Sequence, residues 1–250
     1  MQRAVLWGHD HVELGVTASE AAGDGAGVAI SRGGFAKLYS YVDPNEDVAA
    51  AVQGRDATLL VVADGHYGIT APRVAVETVL AQLGEDPPPA LADPEWLELF
   101  DEVNRRILEA TAAGEQRQSA TVLVCALVRP GSVSWAAAGD GAVLKCAPGA
   151  ARGRQLNREA MRFMGHPMKP RALKQVVGRG NVALGADDWV VLASDGLSEF
   201  VIPERPSDVV PRLLFDALGQ PESAARKIVD HACARGAGDN VAVALSAPRG

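Results

Sequence analysis

Apolar runs that stop abruptly at an acidic residue dominate the pattern of this chain. The clearest run covers residues 59–62 and is followed by Asp64-Gly65-His66. Its continuous apolar and β-branched character predicts a buried strand. Residues 71–83 then place apolar side chains at helical spacing, which predicts a helix. The Asp-Gly pair therefore stands at the end of a strand, because a hairpin turn would require a second alternating strand after it.

The same patterns predict the remaining elements. Short strands are indicated at 12–17 and 28–31, with a glycine-rich turn between them, and a proline-rich loop leads to a helix at 95–112. Further strands are predicted at 121–128, 133–138, 142–146, 175–177, 181–184, 189–193 and 241–245, and further helices from about 207 and at 222–234. The short turns after the first two of these strands favour a meander. Pro211 is compatible with a helix only in its first turn.

Composition narrows the class of protein. The 250 residues are 48% hydrophobic, which is enough for one domain spanning residues 1–250. Many strands with helices in pairs between them favour an α+β architecture of antiparallel sheets flanked by helices. The net charge is −7. The irregular segment 147–175 is basic, but no basic block interleaved with aromatic residues occurs, so we expect no nucleic-acid partner.

The lack of a recognisable targeting signal and the pattern of cysteines predict a cytoplasmic protein. Residues 1–15 lack the apolar core of a signal peptide, and no stretch reaches the roughly 20 apolar residues that span a membrane. Cys125, Cys146 and Cys233 are scattered and odd in number, which is typical of free thiols in a reducing compartment. We therefore expect no membrane partner.

Acidic residues recur at the boundaries of the predicted strands. Asp64, Asp140 and Asp195 are each followed by Gly, Asp239 is followed by Asn, and Glu46-Asp47 precedes another strand region. Each pair alone is typical of a turn. If the six carboxylates converge on one rim, they repel one another and raise each other's pKa, so bound cations are needed to stabilise them. Oxygen ligands without His or Cys select Mg²⁺ or Mn²⁺.

A histidine pair near the start of the chain leaves two interpretations open. His9 and His11 are two residues apart, and on a strand they would share one face. They could form part of a metal site, or they could be solvated polar residues near the terminus.

Six motifs, taken together, resemble one known family. They are NED at 45–47, VVADGHYG at 61–68, QSAT at 118–121, GDG at 139–141, ASDGL at 193–197 and GDN at 238–240. Their order and spacing resemble the metal-dependent protein phosphatases, the PPM or protein phosphatase 2C family, from about residue 33 to 247. The resemblance implies a four-layer αββα sandwich of two antiparallel β-sheets flanked by helices. It also implies hydrolysis of phosphoserine and phosphothreonine in proteins by a water that bridges two Mn²⁺ or Mg²⁺ ions.

The resemblance further implies a role for each motif residue. Asp64 would bridge the two metals and the backbone carbonyl of Gly65 would bind one of them. Asp195 and Asp239 would bind the other metal, Glu46 and Asp47 would hold metal-bound waters, and Asp140 with Asp195 would help hold a weaker third ion. His66 would be the catalytic general acid that protonates the leaving alkoxide, or alternatively a residue that orients a carboxylate. The implied partners are a phosphoprotein substrate and a Ser/Thr kinase system.

Three positions depart from the family pattern. An arginine that grips the substrate phosphate usually stands four residues before the Glu of NED, where this chain has Val42. Lys37 or Arg32 are the candidate replacements, although Lys binds phosphate only as a point charge. The family motif GDSR lacks its Ser and Arg here, and Tyr67 replaces a small residue. The metal set is thus intact, whereas the phosphate grip is changed.

Three other functions remain open on the sequence alone. The missing arginine is compatible with a metal-binding pseudophosphatase that acts as a regulatory module. A two-metal phosphatase for a small phosphorylated metabolite would need the same ligands. An ordinary α+β domain with Asp-rich turns would keep its acids far apart, whereas a two-metal site is compact.

Overall fold

The structure, a computed structural model, describes residues 1–37, 42–158, 160–200, 205–217 and 219–248. Strands in this part of the chain are β1 Gln2–Trp7, β2 Thr17–Ala21, β3 Ala26–Ser31, β4 Val48–Gln53, β5 Thr58–His66, β6 Ala120–Arg129, β7 Ser132–Ala138, β8 Ala142–Cys146, β9 Arg154–Gln155, β10 Gly178–Ala183, β11 Trp189–Ala193 and β12 Val241–Ser246. Helices are α1 Thr70–Leu83, α2 Asp93–Ala113, α3 Pro170–Val176, α4 Asp195–Phe200, α5 Pro206–Asp216 and α6 Pro221–Ala234. A short 3₁₀ turn covers Gly8–Asp10.

The strands form two six-stranded sheets. The order in the first sheet is β1-β4-β5-β6-β7-β10, and in the second it is β2-β3-β12-β11-β8-β9. Neighbouring strands are antiparallel throughout both sheets. Helices α1, α2 and α3 cover the outer face of the first sheet, and α5 and α6 cover the outer face of the second. This confirms the predicted four-layer α+β sandwich.

Burial on both faces explains why the strand signals are continuous apolar runs. One apolar cluster lies between the two sheets, and a separate cluster lies under the helices on each outer side. Leu60 and Val62 of β5 face the other sheet, whereas Leu59 and Val61 face the helices. A strand that is buried on both sides has no polar face, so alternation disappears.

One of the two N-terminal strand predictions was wrong, whereas the strand predicted at 28–31 lies within β3. Residues 12–17 are not a strand, because they turn through Gly15 at φ 73° and lead into β2. The edge strand β1, which pairs with β4, was not predicted. Its burial alternates only weakly, since one face of an edge strand stays half-exposed.

The predicted meander at 121–146 was also wrong. β6 and β7 form a hairpin, but β8 leaves them and pairs with β11 in the second sheet. The turn at residues 139–141 is therefore a crossing from one sheet to the other. Local sequence does not distinguish such a crossing from a hairpin, because both require a glycine at positive φ; here Gly139 has φ 105°.

Two helices differ from their predictions. The strand predicted at 175–177 is instead the end of α3, which begins at Pro170 and buries Val176 against the first sheet. Pro211 lies beyond the first turn of α5, whose N-terminal proline is Pro206. The carbonyl of Pro211 accepts a hydrogen bond from Gly149 N at 2.8 Å, and its buried ring packs within the second sheet's outer layer.

Within the described ranges, none of the helices combines the length and the apolar character needed to cross a bilayer.

Candidate active site at the rim of the two sheets

Strand ends from both sheets meet at one rim of the sandwich. In the first sheet, the start of β4 pairs with the end of β5, so Asp47 lies next to Asp64. In the second sheet, the end of β11 pairs near the start of β12, which brings Asp195 close to Asp239. Asp140 lies at the crossing between the sheets. The acids predicted from separate motifs thus converge on one rim, which is the condition for binding cations together.

The centre of the rim is a compact carboxylate cluster. Oxygen atoms of Asp64, Asp140 and Asp195 all lie within 4.8 Å of one another. Burial raises the pKa of Asp64 well above its usual value, and the charges of Asp47, Asp195 and Asp239 raise it further. The spacing excludes the alternative of an ordinary domain with scattered Asp-rich turns.

The chemistry of the cluster fits divalent cations. Oδ2 of Asp47 and Oδ2 of Asp64 are buried and have no hydrogen-bond donor among the residues that the structure describes. Buried carboxylate oxygens are normally paired, or they bind a metal. The ligand atoms are all oxygens, which is the donor set that Mg²⁺ and Mn²⁺ prefer.

Asn240 fixes the geometry of the rim from the second sheet. Its Oδ1 accepts a hydrogen bond from Glu46 N at 3.0 Å, and its Nδ2 donates to the carbonyls of Arg32 at 3.2 Å and Pro44 at 3.0 Å. A Cβ added to Gly196 would collide with the carbonyl of Asn240, so only glycine fits at this contact. Asn240 therefore clamps the NED turn, the loop after β3 and the start of α4 together.

Ser119 and Thr121 of the QSAT motif fix the other half of the site. The hydroxyl of Thr121 donates to the carbonyl of Asp64 at 2.8 Å, and that of Ser119 donates to the carbonyl of Gly68 at 2.7 Å. Ser119 Oγ also accepts a hydrogen bond from Ala71 N at the start of α1. These two side chains hold the loop between β5 and α1 in place.

Two further candidate ligands, Glu46 and Gly65, pack against each other beside the cluster. One carboxylate oxygen of Glu46, Oε1, accepts hydrogen bonds from the backbone N–H groups of Val42 and Asp43, each at 3.0 Å. Gly65 approaches Glu46 so closely that an added Cβ would lie 2.5 Å from its carbonyl oxygen. Glu46 thus shapes the loop before β4, and Gly65 permits the close packing of β5 on that loop.

His66 lies at the mouth of the cluster. Its Nε2 is 3.9 Å from Oδ1 of Asp64, beyond hydrogen-bond distance, and its ring packs on Phe163 with centroids 4.3 Å apart. Burial lowers the pKa of His66, and the nearby Asp239 charge opposes that shift. Tyr67, the next residue, is 57% exposed and has φ 61°, a strained value for a bulky residue.

A lysine contacts one of the acids. The Nζ of Lys37 lies 2.8 Å from Oδ1 of Asp239. Arg32 instead donates through its guanidinium to the carbonyl of Val12 at 3.0 Å in an exposed contact. Val42, at the family's arginine position, is 56% exposed. Of the two replacements considered, Lys37 is therefore the one that reaches the site.

A basic segment, residues 152–174, forms one wall of the site. Ala160 N donates to the carbonyl of Gly139 at 2.9 Å, Met164 pairs with Thr121, and Phe163 contacts His66. Its exposed basic side chains that form no ion pair with the described part of the chain are Arg154, Arg158, Arg162, Lys169, Arg171 and Lys174. Positive charge from Arg158 and Arg162 therefore lies on one side of the acidic centre, whereas Arg154 pairs with Lys145 at the far end of β8.

Comparison with known proteins decides the family. The family model described as protein phosphatase 2C matches residues 39–231, well over half of the chain. This chain belongs to the protein phosphatase 2C family. That membership confirms the predicted enzyme class, a serine/threonine protein phosphatase. No curated protein matches the chain.

Solved structures of bacterial phosphatases share the fold of this family member. Serine/threonine phosphatase Stp1 from Staphylococcus aureus is 20% identical with a TM-score of 0.70, covering 96% of this chain and 98% of that chain. The Mycobacterium tuberculosis phosphatase PstP/Ppp is 19% identical with a TM-score of 0.67, covering 94% and 99%. The catalytic domain of PstP was solved with two manganese ions, at 20% identity and a TM-score of 0.67, covering 93% and 99%.

Several residues that shape this phosphatase site were not assigned a role from sequence. Ser119, Thr121 and Asn240 lie inside the motifs, but a motif gives no hydrogen-bond partners. No sequence motif marks Phe163 as a site residue, and only its position in the basic segment distinguishes it. His9 lies in the 3₁₀ turn rather than on a strand, and the metal-binding clusters among the described residues do not include it or His11.

The buried acids predict how the metal-free phosphatase responds to pH. Burial raises the pKa of Asp47 to about 8, so between about pH 4 and 8 the folded state binds more protons than the unfolded state. We therefore expect the free energy of unfolding in EDTA to fall as the pH rises from 5 to 8, measured by urea denaturation.

A matched variant separates this effect from other titrations. His66, whose pKa burial lowers, acts in the opposite direction below its usual pKa. In Asp47→Asn we expect a flatter pH dependence than in the wild type. A wild-type stability that is constant or rises over this range would contradict the prediction.

Proposed function

We propose that this chain is a single-domain, metal-dependent phosphatase that hydrolyses phosphoserine and phosphothreonine in proteins. The observation that supports this most directly is the cluster of Asp64, Asp140 and Asp195 oxygens within 4.8 Å, beside the imidazole of His66. A buried set of carboxylates needs cations, and a histidine at its mouth can exchange a proton with a reacting group. Family membership adds the substrate class.

In this proposal the residues keep the roles that the motifs imply. Asp64 would supply ligands to both divalent cations, the carbonyl of Gly65 would bind one of them, and Asp195 and Asp239 would bind the other. Asp140, which belongs to the cluster, would contribute with Asp195 to a weaker third position. Asp47 and Glu46 would hold water ligands. When bound, the two cations would activate a water as nucleophile and neutralise the phosphate charge.

The protein side chains complete the reaction. The Thr121 hydroxyl fixes the Asp64 carbonyl, and Asn240 fixes the amide of Glu46, so the ligands are held before a cation arrives. Protonated His66 donates its proton to the leaving serine or threonine oxygen, which is a poor leaving group as an alkoxide. Its contact with Phe163 restricts the orientation of the ring.

Protein substrates are favoured over small phosphorylated metabolites by the position and charge of the site's surroundings. The site lies at the rim where strand ends of both sheets meet, and the exposed Arg158 and Arg162 of the basic segment flank residues that line it. Such a surface suits a phosphorylated chain segment, with a Ser/Thr kinase system as its natural source. The free thiols are consistent with a cytoplasmic location, which we include in the proposal.

The decisive experiment is a Mn²⁺ titration of the EDTA-treated protein with a phosphoserine peptide and an aryl phosphate. We expect hydrolysis of both that depends on Mn²⁺. Binding of Mn²⁺ in calorimetry without turnover of either compound would establish the pseudophosphatase instead. Efficient competition by sugar or nucleotide phosphates, but not by phosphopeptides, would establish a metabolite phosphatase.

The acid role of His66 predicts a dependence on the leaving group. We expect His66→Gln to lower kcat for a phosphoserine peptide by about 10²–10³-fold, within the usual contribution of a general acid. An aryl phosphate should lose much less, because its leaving phenolate is stable without a proton. Equal losses on both substrates in parallel kcat measurements would show that His66 orients a carboxylate instead.

A further inference from the structure

Lys37 is buried at the acidic rim, although lysine side chains normally reach solvent. Its side chain is 4% exposed, and its ammonium contacts Asp239 at 2.8 Å. A lysine amine is protonated at neutral pH, and contact with a carboxylate favours that charged form. The rim thus contains a fixed positive charge supplied by the chain itself.

The backbone around Lys37 is docked on the segment that carries Asp239. The amides of Gly34 and Phe35 both donate to the carbonyl of Ala237, at 2.8 and 3.0 Å. Gly33 has φ 105°, and an added Cβ would collide with the carbonyl of Asp239. The loop after β3 is therefore held against the loop before β12, which delivers the lysine to the carboxylate.

We propose that Lys37 is an internal competitor for the metal, whose ammonium neutralises Asp239 in the metal-free protein and is displaced when a divalent cation binds the rim. The inference rests on the proposed metal-dependent function and adds a regulatory step to it. A doubly charged cation and an ammonium cannot share one carboxylate at contact distance without repulsion. Metal affinity is therefore lowered by the work of displacing Lys37.

Calorimetric titration of the EDTA-treated protein with Mn²⁺ tests the competition directly. We expect Lys37→Met to bind Mn²⁺ about 10-fold more tightly than the wild type, which corresponds to about 1.4 kcal/mol. Lys37→Arg keeps the charge and should remain close to the wild type. The matched control is Lys145→Met. This variant also removes a lysine–aspartate ion pair, because Lys145 lies 2.8 Å from Asp188. That pair lies at the end of β11 opposite to the site.

The outcomes separate this inference from the proposed function. Equal or weaker Mn²⁺ binding by Lys37→Met, with a wild type that binds Mn²⁺, overturns the competition and leaves the metal site intact. Absence of Mn²⁺ binding in both proteins overturns the metal site and the competition together. Binding by the variant alone supports the competition.

A labelling experiment on the wild type does not depend on the folding of any variant. The chain has five lysines, so reductive methylation followed by mass spectrometry resolves each one. In EDTA we expect Lys37 to react many-fold more slowly than the exposed Lys169. Saturating Mn²⁺ should increase the rate at Lys37 several-fold and leave Lys169 unchanged. A Lys37 that stays as protected with Mn²⁺ as in EDTA contradicts the displacement.

Discussion

Replacing Asp64 by Asn is expected to abolish Mn²⁺-dependent hydrolysis while making the metal-free protein more stable. A metal pair contributes several kcal/mol to the transition state, and each 1.36 kcal/mol is a factor of ten in rate. We therefore expect a loss of about 10³-fold or more in kcat/KM with a phosphoserine peptide. The carboxylate of Asp64 belongs to the compact acidic cluster with Asp140 and Asp195.

The gain in stability follows from the same buried charge. The pKa of Asp64 is raised well above its usual value by burial and by neighbouring acids, so its ionised form destabilises the folded state at neutral pH. A neutral amide cannot ionise, and we expect the free energy of unfolding in EDTA to rise by about 1 kcal/mol or more, the free energy that corresponds to one pKa unit.

Asp187→Asn is the matched control for this experiment. Asp187 is exposed and lies at the end of β11 opposite to the site. The activity and stability of the Asp187→Asn variant should stay close to those of the wild type. An Asp64→Asn variant that retains Mn²⁺-dependent activity, or that is less stable in EDTA, would contradict a metal-bridging role at a strained acidic site.

Replacing Asn240 by Ala should destabilise the protein by about 3 kcal/mol and weaken Mn²⁺ binding. The substitution removes three hydrogen bonds at once and leaves the amide of Glu46 and the carbonyls of Arg32 and Pro44 without their partner. Each buried group left unpaired costs about 1–3 kcal/mol, and partial access of water reduces the sum. Urea denaturation and calorimetric Mn²⁺ titration measure the two effects.

Asn181→Ala makes the same chemical change at an exposed position in β10. We expect it to alter the free energy of unfolding by less than about 0.5 kcal/mol. If Asn240→Ala behaves like this control, the NED turn and the loop after β3 are held by other contacts, and Asn240 does not act as a clamp.

The bounds of strands and helices were predicted accurately where the local pattern of apolar and polar residues defines the element. The bounds of β8 and β11 were predicted without error. β11 is an uninterrupted apolar run and β8 is interrupted only by Lys145, and turn residues or acids flank both strands. The helix predicted at 222–234 differs from α6 by one residue. The acids at the strand ends were found for the same reason, because a polar residue that terminates an apolar run is visible in the sequence.

What could not be predicted depends on contacts between distant segments. The sheet that β8 joins is decided by its pairing with β11, and the turn before it would look the same in a hairpin. Lys37 was only one of two candidate cations, because the ion pair with Asp239 forms between opposite ends of the chain. The hydrogen bonds of Asn240 are equally non-local, so its motif revealed the position but not the clamp.

The basic segment beside the site gives the protein a strongly uneven charge distribution. The chain has a net charge of −7, yet seven of its 24 lysines and arginines lie in the basic segment, residues 152–174. An acidic phosphoprotein is therefore repelled by most of the surface and attracted along one direction, which raises the rate of productive encounter.

Such steering acts over about one Debye length, roughly 8 Å at physiological ionic strength. For the proposed phosphoprotein substrates, added salt should therefore slow capture and lower kcat/KM more than kcat. In that case the selection among competing phosphoproteins is made largely during diffusion, before any contact with the carboxylates at the rim.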